Sequence, residues 1–201
     1  MSIDRDKITT GCLNLFFKYG IRSISVDDIS HHLGISKKTF YQFFKNKDDV
    51  IKVVSIDFIK QNLLANRKII EDNTNVIEKI LKIYKHLLEQ FHTCNPRFLY
   101  DIKKYHSDIY ELFTEFREKE LGFMITNLLK QGKEEGIFRD DLDEKMIFSL
   151  HIRRMNSIIS GTLLPERNIT DPVFLNSMII SLIGISTIKG HKLIENKINE
   201  F

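Results

Sequence analysis

Between Ser36 and Lys47 the chain reads Ser-Lys-Lys-Thr-Phe-Tyr-Gln-Phe-Phe-Lys-Asn-Lys, a run that concentrates hydrogen-bond donors suited to a polyanion. If residues 36–42 are helical, Lys37 and Lys38 precede Tyr41 and Gln42 by one turn, and the four share an outward face. Lys37 and Lys38 can donate to guanine O6 and N7 or to phosphate, and Gln42 offers the paired donor and acceptor that match adenine. Lys45 and Lys47 extend the basic run. A lysine here also has the simpler reading of a solvated surface charge, and Tyr41 that of a partly buried aromatic.

Other chemistries have weaker support. His86, Glu89 and His92 lie in one helical stretch, but six residues put the two imidazoles about 240° apart on a helix. That is not the one-faced pair of a His-Glu-x-x-His zinc site. His31 and His32 are adjacent and read as solvent- or phosphate-facing. The sequence contains neither a phosphate-cradling glycine-rich loop nor a Gly-x-Ser-x-Gly elbow. The expectation is a non-enzyme with no catalytic residue, no metal and no cofactor.

The elements that must position these donors follow from punctuation. Ile8, Cys12, Leu15, Phe16 and Tyr19 recur on one helical face, and Gly20 ends that helix. Ser25-Val-Asp-Asp28 has the form of a capping box, with Val26, Ile29 and Leu33 as the inner face of a short helix that Gly34 terminates. Ser36 caps the next helix, whose core contacts are Phe40, Phe43 and Phe44. Asn46 caps a longer one. The expected fold class is all-α, with a helix-turn-helix domain over 1–46 and a larger helical domain over 47–201. Helices are expected near 47–70, 75–94, 97–105, 107–132, 142–163 and 171–188, with breaks at Asn95-Pro96, Gly132 to Gly136 and Pro165, and with a polar frayed tail from Lys189.

Composition agrees with a soluble helical protein: 201 residues, 42% hydrophobic and 28% charged, with nine Gly and three Pro. Eight basic against four acidic residues give positions 1–47 a charge of +4, and the remainder, with 22 basic and 23 acidic, −1. A basic end on a near-neutral body suits a polyanion partner for that end. Cys12 and Cys94 make no disulfide framework and fit a reducing cytoplasm. No signal peptide is visible, and the most apolar window, Met178 to Ile188, is too short for a membrane span.

The stretch from Ile8 to Ile51 resembles, without a gap, the DNA-binding domain of the tetracycline-repressor (TetR) family. The matching residues are Leu15-Phe16 and Gly20, Ser25-Val-Asp-Asp-Ile-Ser30, Leu33-Gly-Ile-Ser36, Thr39-Phe-Tyr41, Phe44 and Lys45-Asn-Lys-Asp48. Many relatives have Gly at the position of Lys38 and Leu at that of Phe40. The resemblance implies that the helix from Ser36 enters the major groove of an operator in double-stranded DNA. It further implies that Thr39, Tyr41, Lys47 and Ser25 contact phosphates, the last two at the starts of their helices.

The body carries the remaining expectations. Residues 173–188 are apolar nearly all round, so one side of that helix needs a cover beyond its own domain. The resemblance implies a homodimer through the helices near 142–163 and 171–188, reading a palindromic operator. It also implies a small-molecule pocket, for which His86, Gln90, Phe91, Tyr105, Phe113, Phe116, Met124, His151 and Met155 are candidates, each with a plain core reading beside it. The absence of a charged cluster among them points to an apolar or amphipathic effector, and Arg153-Arg154 is assigned to interface or surface salt bridges. The functional expectation is a repressor released by that effector; the alternative is a DNA-binding adaptor controlled by a protein partner.

Overall fold

A computed structural model describes residues 4–94, 96–159 and 171–198. Among them every named element is helical, and the lone bridge pairs Phe138 with Ser186. The helices are α1 (Arg5–Tyr19), α2 (Val26–Leu33), α3 (Lys37–Phe43), α4 (Lys47–Glu71), α5 (Val76–Thr93), α6 (Pro96–Tyr105) and α7 (Ser107–Phe116), followed by a π-helical turn (Arg117–Leu121). Then come α8 (Gly122–Glu134), α9 (Glu144–Ile159), α10 (Asp171–Gly184) and α11 (Ile188–Ile198). None of the described helices is long and apolar enough to cross a membrane.

The helix ends are set by short polar side chains and glycine. Asp4 caps α1, its Oδ1 accepting from the Lys7 amide at 2.9 Å. Gly34 ends α2 at φ 64°, a left-handed conformation that a Cβ disfavours, and its amide donates back to His31. Asn46 accepts from the Asp49 amide at 2.8 Å, while the Asp49 carboxylate accepts from the Lys45 amide at 3.1 Å, a reciprocal cap at the start of α4.

The chain divides into two compact units. The first comprises 1–65 and 89–116, the second 66–88 and 117–201. Packing therefore divides the chain differently from a boundary after residue 46. The first unit has one core, in which Ile8, Phe16, Phe40, Phe44 and Val50 are buried together with Phe98, Ile102 and Ile109 of α6 and α7. Phe17 stands edge-on to both Phe98 and Phe58, with ring centroids 4.9 and 5.0 Å away.

In the second unit, Val76, Ile80 and Tyr84 of α5 are buried, as are Leu128 and Leu129 of α8 and Met155 of α9. Phe174, Met178 and Leu182, at four-residue spacing, form the inner face of α10. The opposite face carries Ile180, 66% exposed in the single chain. Gly132 lies where an added Cβ would stand 2.2 Å from the Phe138 ring, so that close approach requires glycine.

Three expectations need correcting. The stretch 107–132 is not one helix, because the π-helical turn at 117–121 divides it. Periodicity cannot register that insertion. The break expected between Gly132 and Gly136 is present: α8 continues to Glu134 and the turn falls at Gly136, φ 66°. The stretch expected as one helix to 188 ends at Gly184, where the chain turns through Ser186. The polar tail is helix α11, held by buried Gly190 and Ile194 on its inner side. Asn95, Pro165 and the expected helix end at 160–163 lie outside the described residues.

Candidate nucleic-acid interface

The turn between α2 and α3 is built from two caps. Ser25 and Asp28 form the capping box: the Ser25 amide and hydroxyl donate to Asp28 Oδ2 at 2.7 and 2.6 Å, and the Asp28 amide donates to Ser25 Oγ at 3.1 Å. The Ser25 hydroxyl and amide hydrogen bonds hold the Asp28 carboxyl below its ordinary range. Ser25 therefore spends both of its donors inside the cap. Ser36 accepts from the Thr39 amide at 3.0 Å, and its hydroxyl lies 2.9 Å from that of Thr39.

With α3 started there, Phe40 turns inward and is fully buried, its ring 5.6 Å from that of Phe44. Lys37, Lys38, Tyr41 and Gln42 are exposed, and Thr39 is half-buried. Tyr41 stands edge-on to Phe40 at 5.5 Å, which braces an otherwise exposed ring. Lys37 Nζ lies 2.5 Å from Asp27 Oδ1, a pair exposed on both sides and of small energetic worth. Lys45 is exposed, with its backbone amide on Asp49.

Lys47 is placed differently from the other lysines. Its ammonium donates to the Ile21 carbonyl at 2.6 Å and stands 6.0 Å from the centre of the Phe16 ring. Burial pushes its pKa down, while Asp48, Asp101 and Asp28 oppose that shift. The other side of the same loop is held by α6: the Arg22 amide donates to buried Asp101 at 3.0 Å, and its guanidinium donates to the Tyr105 hydroxyl at 2.8 Å and lies over that ring. The α1–α2 loop is thus gripped by α4 and α6. Sequence reading missed Arg22 and Asp101, since no local pattern links residues 79 apart.

The body candidates do not gather in one unit. Gln90, Tyr105, Phe113 and Phe116 belong to the first, and His86, Met124, His151 and Met155 to the second. The side chain of Phe91 is outside the described residues. Tyr105 is an exposed ring under Arg22, and Phe113 packs against Phe58 at 6.2 Å. In the second unit His151 stacks on Tyr84, with ring centroids 5.3 Å apart and planes 18° from parallel. Met155, one turn beyond His151, is buried. Tyr84 was not singled out in the sequence, where it reads as one more member of the α5 apolar stripe.

Two thiols and two arginines stand apart from these rings. Burial pushes Cys12 and Cys94 up to about 12, which keeps both protonated. Among the described residues no carboxylate of the same chain pairs with Arg153 or Arg154. The Arg154 Nε is buried and has no hydrogen-bond partner. No group of three His, Cys, Asp or Glu among the described residues is arranged to hold a metal.

Comparison with known proteins agrees with this geometry. Residues 8–54 match the family described as bacterial regulatory proteins, tetR family. The chain is 28% identical over 147 residues to the HTH-type transcriptional repressor KstR2 of Mycolicibacterium smegmatis, covering 72% of each chain. Its fold is similar to that of the ketosteroid transcriptional regulator KstR2 of Mycobacterium tuberculosis, with TM-score 0.65, 21% identity, and 92% and 97% of the two chains covered. A transcriptional regulator from Saccharomonospora viridis in complex with choline aligns with TM-score 0.76 at 16% identity, covering 91% of this chain and 97% of that one.

Proposed function

The chain carries the DNA-binding domain of the tetracycline-repressor family, and from that premise we propose that it is a dimeric repressor released from a palindromic operator by a small molecule. The observation that supports this reading most directly is the exposed face of α3. Lys37, Lys38, Tyr41 and Gln42 point outward from a helix anchored underneath by Phe40. In a helix-turn-helix this is the helix that enters the major groove. Lys37, Lys38 and Gln42 read base edges or neighbouring phosphates, and Thr39, Tyr41 and Lys45 fix the register on the backbone, which Ser25 joins only by releasing Asp28. Lys47 reaches a phosphate only by giving up the Ile21 carbonyl.

The homodimer forms through α9 and α10. Ile180 of α10 and Met146 and Leu150 of α9 leave large apolar side chains exposed on the single chain, as a helix pair awaiting a partner would. Effector control draws support from the regulator of similar fold that is in complex with choline. The effector releases DNA only if it binds the DNA-incompetent arrangement more tightly.

Operators selected from random duplexes, followed by a screen of metabolites for release, test both halves. The expected result is a palindromic site with half-sites about one duplex turn apart or somewhat more. K37A and K38A weaken binding. A phosphate contact lowers the salt slope by about one per lysine, and a base contact relaxes specificity at one position. Unchanged affinity in both variants overturns the interface, and failure of every metabolite to release the operator overturns effector control.

A further inference from the structure

Outside α3, every exposed tyrosine of the first unit has a cation over its ring. Lys18 Nζ lies 5.0 Å from the centre of the Tyr19 ring, and the Arg22 guanidinium 4.6 Å from that of Tyr105. Lys104 Nζ lies 5.3 Å from the Tyr100 ring and 5.4 Å from the Tyr105 ring. Lys104 therefore joins the two rings of α6, and Arg22 joins α6 to the α1–α2 loop. All of these side chains are exposed. The loop beneath them is fixed, with the Arg22 amide on buried Asp101 at 3.0 Å.

The chemistry of this surface selects an anion. Among the described residues no carboxylate pairs with the Arg22 guanidinium or with Lys104. The Tyr105 hydroxyl accepts from Arg22 at 2.8 Å and the Tyr100 hydroxyl from Lys104 at 3.0 Å. Each phenol thus keeps its own O–H to donate outward. A ring under each cation restrains it in advance, which lowers the ordering cost of a contact. Arginine, lysine and tyrosine are among the side chains that bind the phosphate oxygens of a duplex.

Position selects which anion. Arg22 precedes Ser25, the cap of α2, by three residues, a span of at most about 10 Å. The carbonyl of its neighbour Ile21 is held by Lys47, the first residue of α4. The surface therefore adjoins the starts of α2 and α4. A duplex lying on α3 continues beyond its half-sites, with a phosphate on each strand about every 3.4 Å of axis. DNA is brought to this rim by α3, whereas an acidic protein segment would have to be recruited by the surface alone.

We propose that Arg22, Lys104 and the hydroxyls of Tyr100 and Tyr105 bind the phosphate backbone of duplex DNA just outside the palindrome. They add a sequence-independent contact to the reading done by α3. The proposal rests on the operator-binding reading and extends its interface from α3 to the α1–α2 loop and α6.

The test is anisotropy titration of the full chain with the selected palindrome, bare or extended by about eight base pairs of unrelated sequence at each end. The flanks should tighten binding about fivefold or more at low salt and steepen the salt slope by about two, one phosphate for each protomer. R22Q combined with K104Q should bind the bare palindrome as the parent does and lose the gain from the flanks. K37A should weaken binding to both duplexes and keep that gain. Affinity indifferent to the flanks in the parent, or a gain that survives R22Q with K104Q, overturns the proposal. Polyglutamate that binds the parent but not the double variant, while the flanks have no effect, assigns the surface to an acidic protein and overturns it too. If the bare palindrome still binds in those cases, the operator reading stands and this contact alone falls. Selection that yields no palindrome removes that reading and this proposal together.

Discussion

The ammonium of Lys47 lies 2.6 Å from the carbonyl oxygen of Ile21, so the first residue of α4 holds the loop that follows α1. A lysine at that position looks the same in sequence whether it faces DNA or its own fold. Its direction separates a stability role from a binding role. Replacing it with methionine keeps the stem over Phe16 and removes the charge. K47M should lower stability by about 1–2 kcal/mol, the worth of a partly exposed charge-assisted hydrogen bond. The salt slope of operator binding should stay unchanged. A slope lower by about one with unaltered urea unfolding would show that Lys47 contacts phosphate instead.

Asp27 holds Lys37 in the DNA-free protein through an exposed pair 2.5 Å long. D27N should change stability by no more than about 0.5 kcal/mol. It should tighten operator binding about two- to five-fold at low salt, because a negative charge leaves the interface and Lys37 is released to it. Anisotropy titrations at three salt concentrations measure this, and unaltered affinity would remove Lys37 from the contact set.

His151 is neutral in the folded protein down to about pH 4, whereas an ordinary imidazole protonates near 6.5. Its folded-state pKa is depressed, so below pH 6.5 the unfolded chain binds the extra proton. Stability should therefore fall as pH drops from about 6.5 towards 4, by up to a few kcal/mol from this residue. H151Q should flatten that window relative to the parent, with the other histidines common to both. Parallel curves for the two proteins would contradict the buried neutral imidazole.

Gly132 has no room for a methyl group, with the Phe138 ring 2.2 Å from where a Cβ would stand. G132A should cost about 1–3 kcal/mol by overpacking and lower the melting temperature. Adding F138L, which removes the obstructing ring atoms, should recover part of the loss. A double variant that is simply the sum of two losses would mean that the methyl group clashes elsewhere.

The parts of this molecule legible in its sequence are those decided locally. Ser25, Gly34, Ser36 and Asn46 set helix boundaries through atoms three or four residues away, and the structure has each where the spacing puts it. Phe40 and Phe44 follow from helical periodicity. What stayed hidden depends on distant partners: the grip of Asp101 on the Arg22 amide, the Arg22 guanidinium over Tyr105, and the Tyr84–His151 stack. Helix α11 was hidden for another reason. Its lysines, glutamate and asparagine resemble a solvated tail, and burying Gly190 and Ile194 suffices to hold it.

The single core of the first unit, shared by α1–α4 with Phe98, Ile102 and Ile109, bears on how such regulators can be recombined. Cutting the chain after residue 46 and grafting the reader onto a foreign body would strip the oily floor from beneath it and release the loop at Ile21 and Arg22. A chimera built from this chain should keep its grip on an operator only when residues 89–116 accompany the reader, which operator titration of chimeras with and without that stretch checks. Moving the reader of this chain should therefore take two separated stretches of gene, not one cassette.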